Sequence, residues 1–170
     1  PFFISYADET YAYGVWAVDN TYIHDLEIKD LNFAVANESD SDMGVLGIGL
    51  EGLESTNVGH FAGEEHEPYT YSNFPSKLVE DGLIHKRVYA LHLDEADASS
   101  GSILFGGIDH AKYEGDLPLL PILNTYYGSS DKPLRFELTL NDIVATVGSQ
   151  SENFLNSQYY ANLDSGTTYT

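Results

Sequence analysis

The chain has 170 residues, of which 27 are Asp or Glu and 7 are Lys or Arg, and its formal net charge at pH 7 is −20. Seven cations cannot form the basic face that binds nucleic acid or anionic lipid, so the composition excludes nucleic acid as a partner. Hydrophobic residues make up 42% of the chain, which is enough for a packed core, and the lack of cysteine excludes disulfides within these residues.

Alternating apolar and polar residues predict β-strands along the chain. This period of two runs through residues 11–18, 88–93 and 136–140. Two further apolar runs contain glycine, at 44–50 and 103–108, and they predict strands deep in the core because glycine lets a second backbone approach closely. The patterns together predict an all-β fold.

One helix is predicted between Asn73 and Asp81. Ser72 or Asn73 can cap the free amides of its first turn, Pro75 suits that turn, and Gly82 is expected to end the helix. Further along, an acidic and small-residue segment at 94–101 separates two β-rich halves. Such a segment favours a domain boundary at that point.

Two motifs that can bind cofactors or metals are better interpreted as structural. The run 47–52 satisfies G-x-G-x-x-G, but Glu51 would repel a pyrophosphate and no helical period follows it. Histidines and acids gather at 60–67 without the His-Glu-x-x-His spacing of a zinc site, which favours a solvated loop. The sequence therefore predicts no metal site and no cofactor.

The end of the chain carries a motif that suits acid–base chemistry. Asp164 follows an apolar residue and precedes small residues and hydroxyls, in the order Asp164-Ser165-Gly166-Thr167-Thr168. This places a carboxylate on a tight turn among donors that can bind its charged form. Taken alone, the motif fits both a catalytic carboxylate and an ordinary Asx turn.

Read together with two other segments, this motif resembles the pepsin-like aspartic proteases. The other segments are 44–49 and 101–109, and the order and spacing of all three agree with that family. Residues 4–8 followed by Gly14 are similar to the β-hairpin flap that closes over substrate in the family. The likeness is strongest to the yapsin and candidapepsin branch, and to the yapsins within it.

The resemblance implies a bilobal, pepsin-like acid protease fold. Residues 1–93 would be the later part of the N-terminal lobe, including the flap, and residues 94–170 the first part of the C-terminal lobe, including the second catalytic loop. No Asp-Thr-Gly-Ser or Asp-Ser-Gly-Ser precedes the flap. The chain is therefore expected to be a fragment, completed by a companion segment of the same enzyme that carries the first catalytic aspartate. The alternative is a catalytically inactive pepsin-like module with a binding or structural role.

By resemblance, the function is that of an aspartic endopeptidase acting on a peptide or protein substrate. Asp164 would be one of two carboxylates that share a proton and activate a water molecule, without metal or cofactor. The family's substrate-binding positions correspond here to Tyr6, Ala7, Asp8, Gly166, Thr167 and Thr168.

The flap also suggests a specificity. Asp8 and Glu9 place two negative charges near the expected scissile bond, which favours Lys or Arg next to that bond, as in the processing of proproteins or cell-surface proteins. The alternative is that both acids simply face water at the tip of the hairpin. Glu9 also stands where members of the family often carry glycine, so the sequence does not fix the shape of the tip.

Secretion is expected mainly from the resemblance. Asn37-Glu38-Ser39 is the single N-glycosylation sequon, which makes Asn37 a candidate acceptor. The family branch implies secretion or the cell surface, and yapsins commonly carry a C-terminal glycolipid (GPI) anchor whose signal would lie beyond Thr170.

Overall fold

The computed structural model of the chain describes residues 1–6, 8–58, 67–95 and 97–166. Most of its regular structure is β-strand, with a few short helices, which confirms the predicted all-β fold class. The chain divides into two compact units, Pro1–Leu117 and Pro118–Thr170.

The first unit opens with a three-stranded antiparallel sheet. Its strands are β1 (Phe2–Ser5), β2 (Tyr11–Ile23) and β3 (Leu26–Ser39), in the order β1-β2-β3. The predicted hairpin between residues 4 and 14 is confirmed, and the strand predicted at 11–18 continues to Ile23. The long partner strand β3 was not predicted, because its alternation changes phase at Asp30, between Leu26–Ile28 and Leu31–Val35.

A β-bulge interrupts the pairing of β2 with β3. Tyr13 pairs with Glu38 and Gly14 pairs with Ala36, so Asn37 has no partner across the sheet. At this point the two backbones come very close, since a Cβ on Gly14 would lie 1.9 Å from the carbonyl oxygen of Val35. Glycine is therefore required at position 14 by the approach of β3.

The rest of the first unit consists of short elements. Those are α1 (Ser55–Val58), α2 (Phe74–Glu80), β4 (Tyr89–Leu93), β5 (Gly101–Phe105) and two 3₁₀ turns at Glu51–Leu53 and His110–Lys112. Strands β4 and β5 form an antiparallel pair. The segment 94–100 is thus a hairpin connection within the first unit, and the lobe boundary near residue 93 stays a prediction.

The core of this unit joins β3 to α2. Ile28 and Leu31 of β3 pack with Phe74 and Leu78 of α2, and all four side chains are buried. Phe105 at the end of β5 lies edge-on to Phe74, with ring centroids 5.2 Å apart. At about 1.5–3 kcal/mol for each large apolar side chain removed from water, this cluster is a main source of the unit's stability.

Helix α2 confirms the predicted helix, but its start differs in one respect. Pro75 lies in the first turn and Gly82 ends the helix with φ = 71°, as expected. The Asn73 side chain does not cap the helix. Its amide nitrogen instead donates to the carbonyl of Gly49 at 2.9 Å and to Oε1 of Glu54 at 3.2 Å, and these two bonds fix the side chain in an orientation in which its oxygen does not accept from the helix amides.

The two glycine-containing runs are less buried than predicted. Residues 44–48 belong to no strand or helix, and Val45 and Leu46 are 68% and 58% exposed. Most of 103–108 is in β5 or follows it, with Leu104 44% exposed. The prediction of deep core is wrong for both runs within the described residues, because β5 has only one partner strand and 44–48 has none.

The second unit contains two antiparallel strand pairs. Strand β6 (Glu137–Leu140) pairs with β9 (Tyr159–Asn162), and β7 (Val144–Val147) pairs with β8 (Gln150–Asn153). The strand predicted at 136–140 is confirmed. The β6–β9 pair matters for function because the chain runs from β9 directly into the Asp164 motif.

Candidate active site

The β6–β9 pair holds the base of the Asp164 turn. The N–H of Leu163 donates to the carbonyl of Phe136 at 2.9 Å, which continues the ladder one step past β9. The chain then turns, and the N–H of Gly166 donates to Oδ1 of Asp164 at 2.9 Å. A Cβ on Gly166 would lie 3.3 Å from the same oxygen, a tight contact, so glycine suits this position.

Asp164 is exposed and has an available carboxylate oxygen. Within residues 97–166 of the described chain it accepts one hydrogen bond, from Gly166, and no cation forms an ion pair with it. A carboxylate held by one backbone donor can accept a proton from water or share one with a second acid. Gly166 contacts Asp164 through this bond, its role in substrate binding stays a prediction, and Thr167 and Thr168 lie outside the described residues.

The tip of the β1–β2 hairpin is closed by backbone hydrogen bonds. The N–H of Tyr6 donates to the carbonyl of Thr10 at 2.8 Å, and the N–H of Glu9 donates to the carbonyl of Tyr6 at 3.1 Å. Glu9 has φ = 71°, in the left-handed region that favours glycine, and this costs a non-glycine residue about 1 kcal/mol. The tip therefore keeps a glycine-like backbone although a glutamate occupies it.

Asp8 has a structural role in this turn. Its Oδ1 accepts hydrogen bonds from the N–H of Thr10 at 3.0 Å and from the Thr10 hydroxyl at 2.7 Å. Hydrogen bonds from Thr10 lower the pKa of Asp8, so it carries its charge in mildly acidic solution. The Glu9 side chain is exposed and makes no hydrogen bond or ion pair among the described residues. Ala7, predicted to contact substrate, lies outside them.

Tyr6 is one of the residues that line a groove of about 470 Å³ within the first unit. It is half-buried, and burial raises its pKa, with the charge of Asp8 acting in the same direction. The groove has a largely apolar wall formed by Phe2, Ile4, Trp16, Phe33, Leu46 and Phe74. Its shape and lining suit a chain segment with apolar side chains.

Part of the groove lining is polar, which sequence reasoning missed. The hydroxyl of Tyr71 donates to Oε2 of Glu54 at 2.7 Å, and Asn73 donates to the other oxygen. Burial first, and then the bond to Glu54, raise the pKa of Tyr71. Glu54 and Asp42 both line the groove, and no Lys, Arg or His of the described ranges does. No spacing rule links these residues, so the sequence held no signal for this cluster.

The other sequence motifs do not form a binding site in the described part of the chain. The 47–52 run leads into a 3₁₀ turn and a four-residue helix, too short for the helix N-terminus of a dinucleotide site. Only Glu67 of the 60–67 cluster is described. No group of three potential metal ligands occurs among the residues described, and no helix among them is long and apolar enough to cross a membrane.

Comparison with known proteins agrees with the arrangement of these motifs. Among the most similar curated proteins, Secreted aspartic protease 9 of Candida albicans is 46% identical over 168 residues, covering 98% of this chain and 29% of that protein. Aspartic proteinase 3 of Saccharomyces cerevisiae is 44% identical, covering 99% of this chain and 30% of its own length. Aspartic proteinase yapsin-3 of the same yeast is 42% identical, and the match covers 100% of this chain and 34% of that protein.

This chain therefore spans about 30% of the length of the relatives it matches. The resemblance to yapsins and candidapepsins is confirmed by these matches, because the alignments cover nearly the whole chain. The family model described as eukaryotic aspartyl protease matches residues 1–170. The chain belongs to the eukaryotic aspartyl protease family.

Proposed function

We propose that the whole protein is an aspartic endopeptidase in which Asp164 is one of the two catalytic carboxylates. The observation that carries this proposal is the exposed Asp164 carboxylate, held by the Gly166 N–H at the end of β9 in a chain of this family. Two carboxylates about 3 Å apart cannot both ionise, so one keeps a proton. The ionised member takes a proton from a water that attacks the peptide carbonyl, and the other donates toward the developing oxyanion.

The second carboxylate belongs to a companion segment of the same protein. The 170 residues contain a single Asp-Ser-Gly run and no Asp-Thr-Gly run. Support for a companion comes from residues 44–48, an apolar, glycine-containing segment whose backbone groups make no hydrogen bond among the described residues. Such a segment favours pairing with a further strand. In the same way, the apolar groove beside Val45 and Leu46 suits further chain.

We also propose that the enzyme prefers Lys or Arg next to the scissile bond. Glu9 at the flap tip is exposed, and its side chain makes no hydrogen bond or ion pair among the described residues, so its carboxylate can meet a cation. A substrate ammonium or guanidinium would gain charge-assisted hydrogen bonds there. Asp8 contributes less, since one of its oxygens is held by Thr10.

The proposed substrates are proproteins or cell-surface proteins, and the proposed location is outside the cell or at its surface. Support comes from the name of the Candida relative, a secreted aspartic protease. The proposed substrate-binding positions Ala7, Thr167 and Thr168, and the glycolipid anchor, rest on the family resemblance alone. A secreted enzyme with this acidic surface would work best in acidic surroundings.

The activity is tested on the full-length protein in acidic buffer with a peptide substrate and a statine-type inhibitor. Complete inhibition, together with mass-spectrometric detection of a segment bearing Asp-Thr-Gly or Asp-Ser-Gly beside Asp164, is the expected result. A purified, folded protein without hydrolysis, or without the second aspartate, would instead identify an inactive module.

The specificity is tested with paired peptides that carry Lys or Leu before the scissile bond. The Glu9→Gln variant is expected to lose several-fold in kcat/KM for the Lys peptide and to keep its rate on the Leu peptide, since only the charge is removed. Asp131→Asn, a change at an exposed acid of the second unit, is the matched control. Equal losses on both peptides would show that Glu9 shapes the flap and does not select the substrate.

A further inference from the structure

The bulge in β3 presents one asparagine in an unusual way. Asn37 is the residue left without a cross-strand partner between the Tyr13–Glu38 and Gly14–Ala36 pairs. Its side chain is exposed and makes no hydrogen bond or ion pair among the described residues. Because β3 is the edge strand of its sheet, no fourth strand covers this position in the described part of the chain.

The same residue begins the sequon Asn37-Glu38-Ser39. The neighbouring side chains are occupied: Glu38 accepts from the hydroxyl of Tyr11 at 2.7 Å, and the hydroxyl of Ser39 donates to the carbonyl of Tyr11 at 3.1 Å. Replacing the Asn37 amide hydrogen by a sugar would break none of these contacts. The fold therefore accepts a bulky group here without repacking.

We propose that Asn37 carries an N-linked glycan, because the bulge presents its exposed side chain without a partner. In this step the Asn37 amide nitrogen attacks the anomeric carbon of a polyprenyl-pyrophosphate-linked oligosaccharide. A carbon–nitrogen bond forms, the bond from carbon to the pyrophosphate oxygen breaks, and the amide loses one proton as the lipid pyrophosphate leaves.

The inference rests on the proposed passage through the secretory pathway, so the test directs the full-length protein there with a yeast secretion leader. The secreted protein is treated with an N-glycan amidase in heavy-oxygen water and digested, and the peptide that contains residue 37 is sequenced by mass spectrometry. The expected result is heavy-labelled aspartate at position 37 in nearly all of this peptide. Recovery of unmodified Asn37 from the secreted protein would overturn the proposal.

Three variants complete the experiment. Ser39→Thr should keep the label, and Ser39→Ala should lose it although Asn37 is unchanged. Asn37→Gln should lose the label without disturbing the Tyr11 contacts, so it stays informative if Ser39→Ala misfolds. Peptidase activity is measured on the same samples, because an inactive but glycosylated protein contradicts only the proposed function, and an active protein with bare Asn37 contradicts only the glycan.

Discussion

Gly14 gives the most direct test of how close backbone packing stabilises the β1-β2-β3 sheet. A Cβ at this position would lie 1.9 Å from the Val35 carbonyl oxygen and 2.9 Å from the Cα of Ala36. Ordinary contact begins at 3.4 Å, so Gly14→Ala would require β3 to move by about 1.5 Å. Backbone atoms of a paired strand cannot rotate away as a side chain can. We therefore expect a loss of about 3 kcal/mol, at the upper end for overpacked sites.

Hydrogen exchange of the full-length protein measures this loss locally. A destabilisation of about 3 kcal/mol raises the exchange rate of amides in 11–18 and 33–39 by roughly 100-fold, while amides of β6 and β9 keep their rates. Gly128→Ala is the matched control because a Cβ there meets nothing within 4 Å. The kcat/KM of Gly14→Ala should fall as well, because Tyr6 is carried by the same hairpin.

Unchanged exchange in the Gly14→Ala protein would refute this reasoning. It would mean that β3 can shift freely at its bulge, and that the pairing of Gly14 with Ala36 does not fix the flap. An equal rise in the Gly128→Ala control would point to a general effect of replacing glycine.

Two further predictions concern buried and charged groups. Tyr71→Phe removes a donor from Glu54, so it should lower the free energy of unfolding by about 1–2 kcal/mol in denaturant titrations, and an unchanged midpoint would argue against the polar cluster. The melting temperature should peak in mildly acidic buffer. Hydrogen bonds from Thr10 and Ser72 lower the pKa values of Asp8 and Glu80, whose contributions are present above the ordinary carboxyl pKa and lost as the pH falls through the lowered values. Repulsion from the net charge of −20 grows in the other direction, so melts from about pH 4 to pH 8 should decline toward pH 8, and a rise up to pH 8 would contradict this account.

The sequence predicted best those elements whose signals are local. The flap hairpin follows from alternation around Tyr11–Val18, and α2 follows from Pro75 and Gly82. The Asp164 turn was likewise predicted with its Gly166 neighbour, because an Asx-type contact spans only two residues. In each case the residues that decide the conformation lie within a few positions of one another.

Predictions failed where distant residues decide the outcome. The run 44–50 looks like a core strand, but a strand forms only with a partner, and the described residues supply none. Asn73 has the residue type of a helix cap, but its amide nitrogen donates to Gly49 and Glu54, which are 24 and 19 positions away in the sequence. The polar part of the groove lining, at Glu54 and Tyr71, also depends on contacts between residues far apart in the sequence. The proposed second catalytic carboxylate would also be a long-range feature. The local motif at 164–168 implies that it exists but does not show where it lies in the sequence.

The central claim is that Asp164 takes part in hydrolysis, and its most direct test is the kcat/KM of the full-length Asp164→Asn protein on an acidic-pH peptide substrate. An amide cannot take the proton from water, so we expect a loss of at least about 1,000-fold, with a melting temperature close to that of the wild type. Asp131→Asn should keep the wild-type rate. An Asp164→Asn protein that cleaves peptide as fast as the Asp131→Asn control would contradict the assignment of Asp164 as a catalytic carboxylate.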